Sequence, residues 1–154
     1  MVIKRITIWI CAAALIPLLA ACGSAPSPPP AETPAVPATL YLPGENAIGF
    51  TTATVLTDGT PEDIVSWLVR EKALPEGSAL LDFTIDGDGS CRADMNAAYG
   101  ASLGQGTSAE YQLLGSLVNT LLTHFEQSEI TLTIEGETPA TGHNVYDFPL
   151  RFFD

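Results

Sequence analysis

The apolar and polar positions of the chain fall into three stretches with different patterns. Residues 6–21 are almost continuously apolar, residues 23–38 are rich in proline and show no period, and the rest mixes alternating runs with helical spacing. Only the third stretch has the periodicities from which a folded core is built. We therefore predict three parts, which are residues 1–21, residues 22–38 and a single domain at residues 39–154.

The first half of the domain predicts two strands followed by a helix. A short strand over residues 39–43 ends in a Pro-Gly turn, and residues 50–57 are rich in β-branched side chains. A helix should run from Pro61 to about Lys72. Thr60 can cap this helix, proline suits its first position, and apolar residues recur along it at helical spacing.

The middle of the domain predicts a β-hairpin. Residues 79–85 and 90–95 are strand-like and flank the sequence DGDG, whose glycines tolerate the positive φ of a tight turn. The same sequence resembles the start of a calcium-binding loop. An EF-hand needs a glutamate at its twelfth position, however, and counting from Asp86 that position is Ala97. We therefore interpret DGDG as a turn, and residues 97–106 as a glycine-containing loop.

The last third predicts a long helix and two further strands. The sequence TSAE at residues 107–110 has the form of a capping box, and residues 108–126 then carry apolar side chains at helical spacing. Residues 130–134 alternate apolar and polar positions, and residues 144–153 are rich in aromatic side chains. Both segments are predicted to be strands.

The predicted order of elements is β(β)αββαββ, which is typical of the α+β class. We expect a single small domain in which a mixed or antiparallel sheet carries two helices on one face. The apolar stripe of the second helix could dock a partner helix. A stripe of this kind more often belongs to the core, and we interpret it so.

The N-terminal stretch has the features of a bacterial lipoprotein signal peptide. Lys4 and Arg5 precede the apolar run, which is short for a membrane span and is interrupted by proline. Residues 19–23 read LAACG, which fits the lipobox pattern. In this pattern small residues precede a cysteine that receives diacylglycerol. The alternative interpretation is an ordinary signal peptide. We predict that Cys22 is lipidated and anchors the chain at the extracytoplasmic face of the cell membrane, with residues 22–38 as an extended stalk.

The composition argues against several kinds of partner and bond. The chain has 18 acidic and six basic residues and a net charge of −12, which becomes −14 if Lys4 and Arg5 leave with the signal peptide. Such a surface repels phosphate backbones, so we expect no nucleic-acid partner. Cys11 would also leave, so Cys91 would be the one free thiol and no internal disulfide could form.

The sequence offers no supported catalytic or metal-binding set. His124 and His143 have no metal-ligand neighbour at a useful spacing, and no glycine-rich phosphate loop is present. Cys91, His143 and Asp147 could act as nucleophile, base and orienting acid, but no local motif supports them and Cys91 lies within a predicted strand. We therefore predict no catalytic residue, no metal and no cofactor.

The domain resembles a known family in the order and spacing of several segments. These are LPEGSALL at residues 74–81, ADM at residues 93–95, LVNTLL at residues 117–122 and ITLTIEG at residues 130–136. They resemble the GerMN domain, named for a sporulation and spore-germination lipoprotein of Gram-positive bacteria. The glycine–proline pair that often follows this family's first helix is replaced by residues 70–72. The resemblance implies a non-catalytic module, similar to the ring-building folds of secretion-like complexes, and it assigns no ligand or catalytic residues.

Three functions follow from these observations. The favoured one is a membrane-anchored assembly or scaffold module, linked to sporulation or germination, that acts through a protein partner or self-assembly. The second is a binding module for a ligand derived from the cell wall or membrane, with a pocket lined by Trp67, Tyr99 or Phe125. The third, an enzyme, has no motif behind it. An exposed strand edge or apolar patch would favour the first function, and a closed aromatic pocket the second.

Overall fold

Alternating residues at the start of the domain form an antiparallel hairpin. In a computed structural model that describes residues 34–154, strand β1 (Val36–Pro43) pairs along its whole length with β2 (Phe50–Thr57). The bounds of β2 are those predicted. Strand β1 begins three residues before Thr39, the predicted start of the domain, and of these added residues Ala38 packs in the core while Val36 and Pro37 are exposed.

Helix α1 (Pro61–Arg70) begins as the sequence predicts. The side chain of Thr60 accepts a hydrogen bond of 3.3 Å from the backbone N–H of Asp63, and proline occupies the first helical position, where its missing N–H leaves nothing unsatisfied. The helix ends two residues earlier than predicted. Its buried residues are Ile64, Val65 and Leu68.

A second, three-stranded sheet follows, so the domain has two sheets where one was predicted. Strand β3 (Leu80–Ile85) and β4 (Ser90–Met95) form the predicted antiparallel hairpin, and β5 (Glu129–Ile134) lies parallel to β4 on its other side. The strand order is β3-β4-β5. Cys91 and Ala93 of β4 are buried while Arg92 between them is exposed, so one face of this sheet is covered.

The turn of this hairpin satisfies its own polar groups. One carboxylate oxygen of Asp88 accepts hydrogen bonds from the backbone N–H of Ser90 at 3.1 Å and from its hydroxyl at 2.6 Å. The backbone N–H of Asp86 donates to the carbonyl of Ser90 at 2.9 Å. Within residues 34–154, no group of three His, Cys, Asp or Glu side chains is placed to hold a metal ion.

Two helices connect β4 to β5, and the first of them was predicted to be a loop. Helix α2 (Ala97–Leu103) is capped by Asn96, whose side chain accepts from the backbone N–H of Tyr99 at 3.3 Å. A Cβ atom on Gly100 would lie 2.7 Å from the side chain of Ile134. Glycine is therefore required where α2 packs on β5, and the domain has three helices instead of the predicted two.

Helix α3 (Thr107–His124) supplies more of the core than any other element, and its residues 112–122 are all buried. Gly115 lets β2 approach closely, because a Cβ atom there would lie 2.0 Å from the ring of Phe50. The predicted capping box does not form. Gly106 is the N-cap residue, no side chain caps the helix, and Glu110 makes other contacts.

The predicted last strand, residues 144–153, does not form as a strand. This C-terminal segment (residues 144–154) contains only isolated bridges, between Leu150 and Ile130 and between Val145 and Ala140. Pro149 has no N–H to donate to a ladder. The segment instead follows the surface of the domain and ends beside α3.

The structure confirms a small α+β domain. The predicted signal peptide, most of the proline-rich stretch and Cys22 lie outside the described residues, so the lipidation of Cys22 remains a prediction. In the part of the chain that the structure covers, no helix combines the length and apolarity that a membrane crossing requires.

Candidate interaction surfaces

The outer edge of β3 carries no partner strand. β3 pairs with β4 on one side only, and Leu81 and Ile85 are 53% and 52% exposed. Proteins usually protect such edges, because unpaired backbone groups beside apolar side chains promote pairing with another chain. We refer to residues 80–85 with this open side as the β3 edge.

The register shows which backbone groups of the β3 edge are available. Asp86 and Ser90 form a hydrogen-bonded pair, and such pairs alternate with non-bonded ones along an antiparallel ladder. The backbone N–H and C=O groups of Thr84 are therefore directed toward β4. The N–H and C=O groups of Phe83 and Ile85 point away from β4, where an incoming strand could bond to them.

The opposite edge of the same sheet is covered by the chain itself. Leu150 exchanges two backbone hydrogen bonds of 2.8 Å with Ile130 of β5, and its side chain is buried. Further along, the side chain of Asn119 on α3 donates to the carbonyl of Phe153 and accepts from its N–H, each at 2.8 Å. The C-terminal segment thus closes this edge.

A buried carboxylate fixes the loop that leads into the C-terminal segment. Glu110, only 3% exposed, accepts hydrogen bonds from Asn144 at 3.1 Å, from Thr141 at 3.4 Å and from the hydroxyl of Tyr146. Burial alone would raise the pKa of Glu110, but these hydrogen bonds outweigh burial and hold it below its ordinary value. Burial first, and then Glu110, raise the pKa of Tyr146 to about 12. The ionised carboxylate therefore has a structural role.

A pocket of about 500 Å³ lies at the C-terminal end of α1, and we refer to it as the α1 pocket. Ala73, Leu74 and Leu113 are buried residues that form its apolar wall. Arg70 and Lys72 are exposed at its rim.

The two cations at the rim have no carboxylate partner. Among residues 34–154 the one ion pair is between Arg151 and Glu129, at 3.1 Å. The guanidinium of Arg70 lies 4.9 Å from the centre of the Trp67 ring, over which it stacks. No role was predicted for Arg70 and Lys72, although they occupy the position where the family's glycine–proline pair is missing. The missing glycine–proline pair was the sequence feature that could have drawn attention to these two cations.

The structure does not bring the three candidate catalytic residues into hydrogen-bonding contact. Cys91 is buried on β4, and its thiol donates to the carbonyl of Glu129 at 3.6 Å. Burial, and to a smaller extent the charge of Asp86, raise the pKa of Cys91 to about 11, so the thiol stays protonated at neutral pH. His143, just before the C-terminal segment, and Asp147, within it, are both exposed.

The three aromatic residues that the ligand-binding hypothesis would place around a pocket make separate contacts. Tyr99 is fully buried on α2, and its hydroxyl donates to the carbonyl of Leu113 at 3.5 Å. Phe125 packs against Phe83 with ring centres 4.7 Å apart, and Trp67 is partly buried on α1. None of the three lines the α1 pocket.

Comparisons with known proteins agree with the family resemblance. A family model described as "Germane: Sporulation and spore germination" matches residues 33–139, and the chain belongs to this family. No functionally curated protein matches the chain.

Solved structures show the same fold. The tandem GerMN domains of the sporulation protein GerM from Bacillus subtilis superpose with a TM-score of 0.61 at 20% identity, over 77% of this chain and 46% of that one. The first GerMN domain of the same protein gives a TM-score of 0.54 at 20% identity, over 66% of this chain and 84% of that one. The chain therefore spans about half the length of the tandem structure.

Proposed function

We propose that this chain is a non-catalytic, membrane-anchored protein of the cell envelope, and that its domain acts through protein–protein contact in sporulation or spore germination. Membership of the Germane family supports the process. The lipobox ending at Cys22 supports the anchor. The observation that carries the mode of action is the β3 edge, with its unpaired backbone and exposed apolar side chains.

The β3 edge suits a partner that adds a strand. An added strand would bond to the outward-facing backbone groups of Phe83 and Ile85, and its side chains would pack on Leu81 and Ile85. The main-chain bonds would give affinity, and the side-chain contacts would give specificity. A membrane anchor raises the effective concentration, so an edge of six residues can be sufficient even if each contact is weak.

The β3 edge can be tested with charged substitutions in the full chain. Leu81→Lys with Ile85→Lys places two charges on the edge, and Leu56→Lys places one on an exposed residue of β2 as a control. We expect crosslinking in intact cells to lose the partner in the β3 variant and keep it in the control. Equal capture by both variants would contradict the proposed surface.

The anchor and the absence of catalysis have separate tests. Labelling with a fatty-acid analogue should mark the wild-type chain and not Cys22→Ser, because the thiol is the acylated group.

Cys91→Ser and His143→Ala should keep function in cells. Loss of function in either of these variants while the domain remains folded would revive the enzyme hypothesis.

A further inference from the structure

We propose that the α1 pocket binds the free carboxyl end of a peptide chain whose last residues are apolar. The pocket joins an apolar wall to two cations that lack carboxylate partners, in a domain that is otherwise strongly acidic. No residue of the β3 edge lines the pocket, so this inference does not depend on the proposed function.

The charge distribution is the first argument. Of the 18 acidic and six basic residues of the chain, 17 and four lie in residues 34–154, since only Glu32, Lys4 and Arg5 precede them. Two of these four basic residues stand at one pocket. A carboxylate would bond to the guanidinium and ammonium groups there, and repulsion from the rest of the domain would oppose its binding elsewhere.

The backbone at Lys72 is the second argument. A cation at the end of a helix stabilises the helix dipole, which accounts for Arg70 but not for Lys72 beyond the helix. Lys72 has φ of +61°, and the next two N–H groups donate back to the carbonyl of Leu68. Glycine is the unstrained residue at such a helix end. Glu126 adopts the same conformation after α3, so it is an ordinary helix end in this domain, and its contribution to the site is to place Lys72 at the rim of the pocket.

The wall of the pocket suits a peptide. A volume of about 500 Å³ lies within the range of small-ligand sites, and the apolar wall can take one or two apolar side chains. The backbone carbonyls of Lys72, Ala73 and Leu74 accept no hydrogen bond from the described residues. The N–H groups of a peptide that enters with its carboxylate at the rim could donate to these carbonyls.

A third charged group at the rim narrows the ligand class. The carboxylate of Glu76 also lines the pocket, and it would repel a second negative charge on the ligand. This favours a monocarboxylate over a phosphate or a dicarboxylate. The acidic domain surface likewise disfavours an anionic bilayer as the ligand.

The test uses the full chain in nanodiscs of a zwitterionic lipid, with Trp9→Phe so that Trp67, beside Arg70, is the fluorescent reporter whether or not the signal peptide has been removed. The probes are acetyl-Ala-Ala-Leu with a free carboxylate and the same peptide as a C-terminal amide. We expect the acid to bind about tenfold more tightly than the amide, as for a hydrogen bond to a charged group. Arg70→Gln and Lys72→Gly should each remove this preference. Arg92→Gln, which removes a cation on β4, should leave it unchanged.

Several outcomes would overturn the inference. Equal binding of acid and amide would indicate an apolar groove without carboxylate recognition, and an equal effect of Arg92→Gln would indicate diffuse charge. No binding to the folded chain, or Arg70-dependent binding to phosphatidylglycerol vesicles without peptide binding, would also refute it. Leu81→Lys with Ile85→Lys should bind the peptide like the wild type, which separates this test from that of the β3 edge.

Discussion

The two edges of the three-stranded sheet are treated in opposite ways. The register places Ile85, Cys91, Ile130 and Leu150 in one row across the sheet. At one end of the row Leu150, which belongs to the C-terminal segment, is buried, and at the other end Ile85 is about half exposed. Leu150 and Ile85 are similar in size and polarity, yet Leu150 is buried and Ile85 is exposed.

The difference lies in what covers each edge. The edge of β5, which we call the sealed edge, is covered by the C-terminal segment. A backbone bridge and two polar side chains of α3, Asn119 and Glu110, hold this segment and the loop before it in place. Nothing equivalent in residues 34–154 covers β3. Since the fold contains the means to close an edge, the open one is available for a partner, and this comparison can be tested by substitution.

The largest expected effect comes from truncating the two ends of the row. Leu150→Ala removes a buried side chain and should cost about 2–5 kcal/mol of unfolding free energy. Ile85→Ala should cost below about 1 kcal/mol, because its side chain is already half in water. Urea unfolding of both variants measures the difference. Similar costs would mean that the two edges are equally packed.

A second comparison concerns the polar side chains that hold the sealed edge. Asn119→Ala would leave the N–H and C=O of Phe153 without partners and should cost about 1–3 kcal/mol. Ser116→Ala, three residues earlier on α3, is the matched control. Its hydroxyl is buried without a hydrogen-bond partner, so its removal should be neutral or stabilising. If Ser116→Ala also lowered the free energy of unfolding, the burial of side chains on α3, and not the hydrogen bonds between Asn119 and Phe153, would determine stability at this edge.

The Glu110 network should make the sealed edge sensitive to acid. Because the folded pKa of Glu110 is lowered, its contribution is present above the ordinary value of 4.5 and is lost as pH falls through the folded pKa. We expect Glu110→Gln to lose about 1–2 kcal/mol at pH 7, with a smaller difference from wild type at pH 3. Unfolding by urea at both values isolates this residue from the other carboxylates. A constant difference at both pH values would contradict its ionised role.

The smallest expected effect is on the reactivity of Cys91, in the middle of the row. Its buried, protonated thiol should react slowly with iodoacetamide at pH 8. Ile85→Ala loosens only the open edge, so it should speed the reaction a few-fold while global stability stays nearly the same. Mass spectrometry of timed samples measures the rate. Fast alkylation of the wild-type chain would mean that β4 is exposed.

Local chemistry was sufficient to predict much of the fold from the sequence. Strand β2, the start of α1 at Thr60 and the Asp86–Gly89 turn depend on residues close together in the chain, and all three form as predicted. Alternation predicted β5 in the same way.

The errors have a common cause in contacts between distant residues. Helix α2 has a glycine in its middle and a short apolar pattern, and only the packing of Gly100 on Ile134 explains why a glycine lies there. Glu110 looked like a capping residue, but its partners lie 31 to 36 positions away. The C-terminal segment has a strand-like sequence, but near its end the backbone groups of Phe153 bond to the side chain of Asn119 and not to a strand. The α1 pocket likewise depends on Leu113, far from α1 in sequence.

The parallel pairing of β4 with β5 determines the order in which a growing chain can complete its fold. Ser90 pairs with Glu129, 39 positions later, whereas the hairpins β1–β2 and β3–β4 close over short turns. Local pairs form early, and pairs across a long loop form late. Until β5 has been synthesised, β4 is itself an unpaired edge, so an incomplete chain would expose edges on both sides of the β3–β4 hairpin. The domain would therefore be most prone to aggregate just before β5 is added.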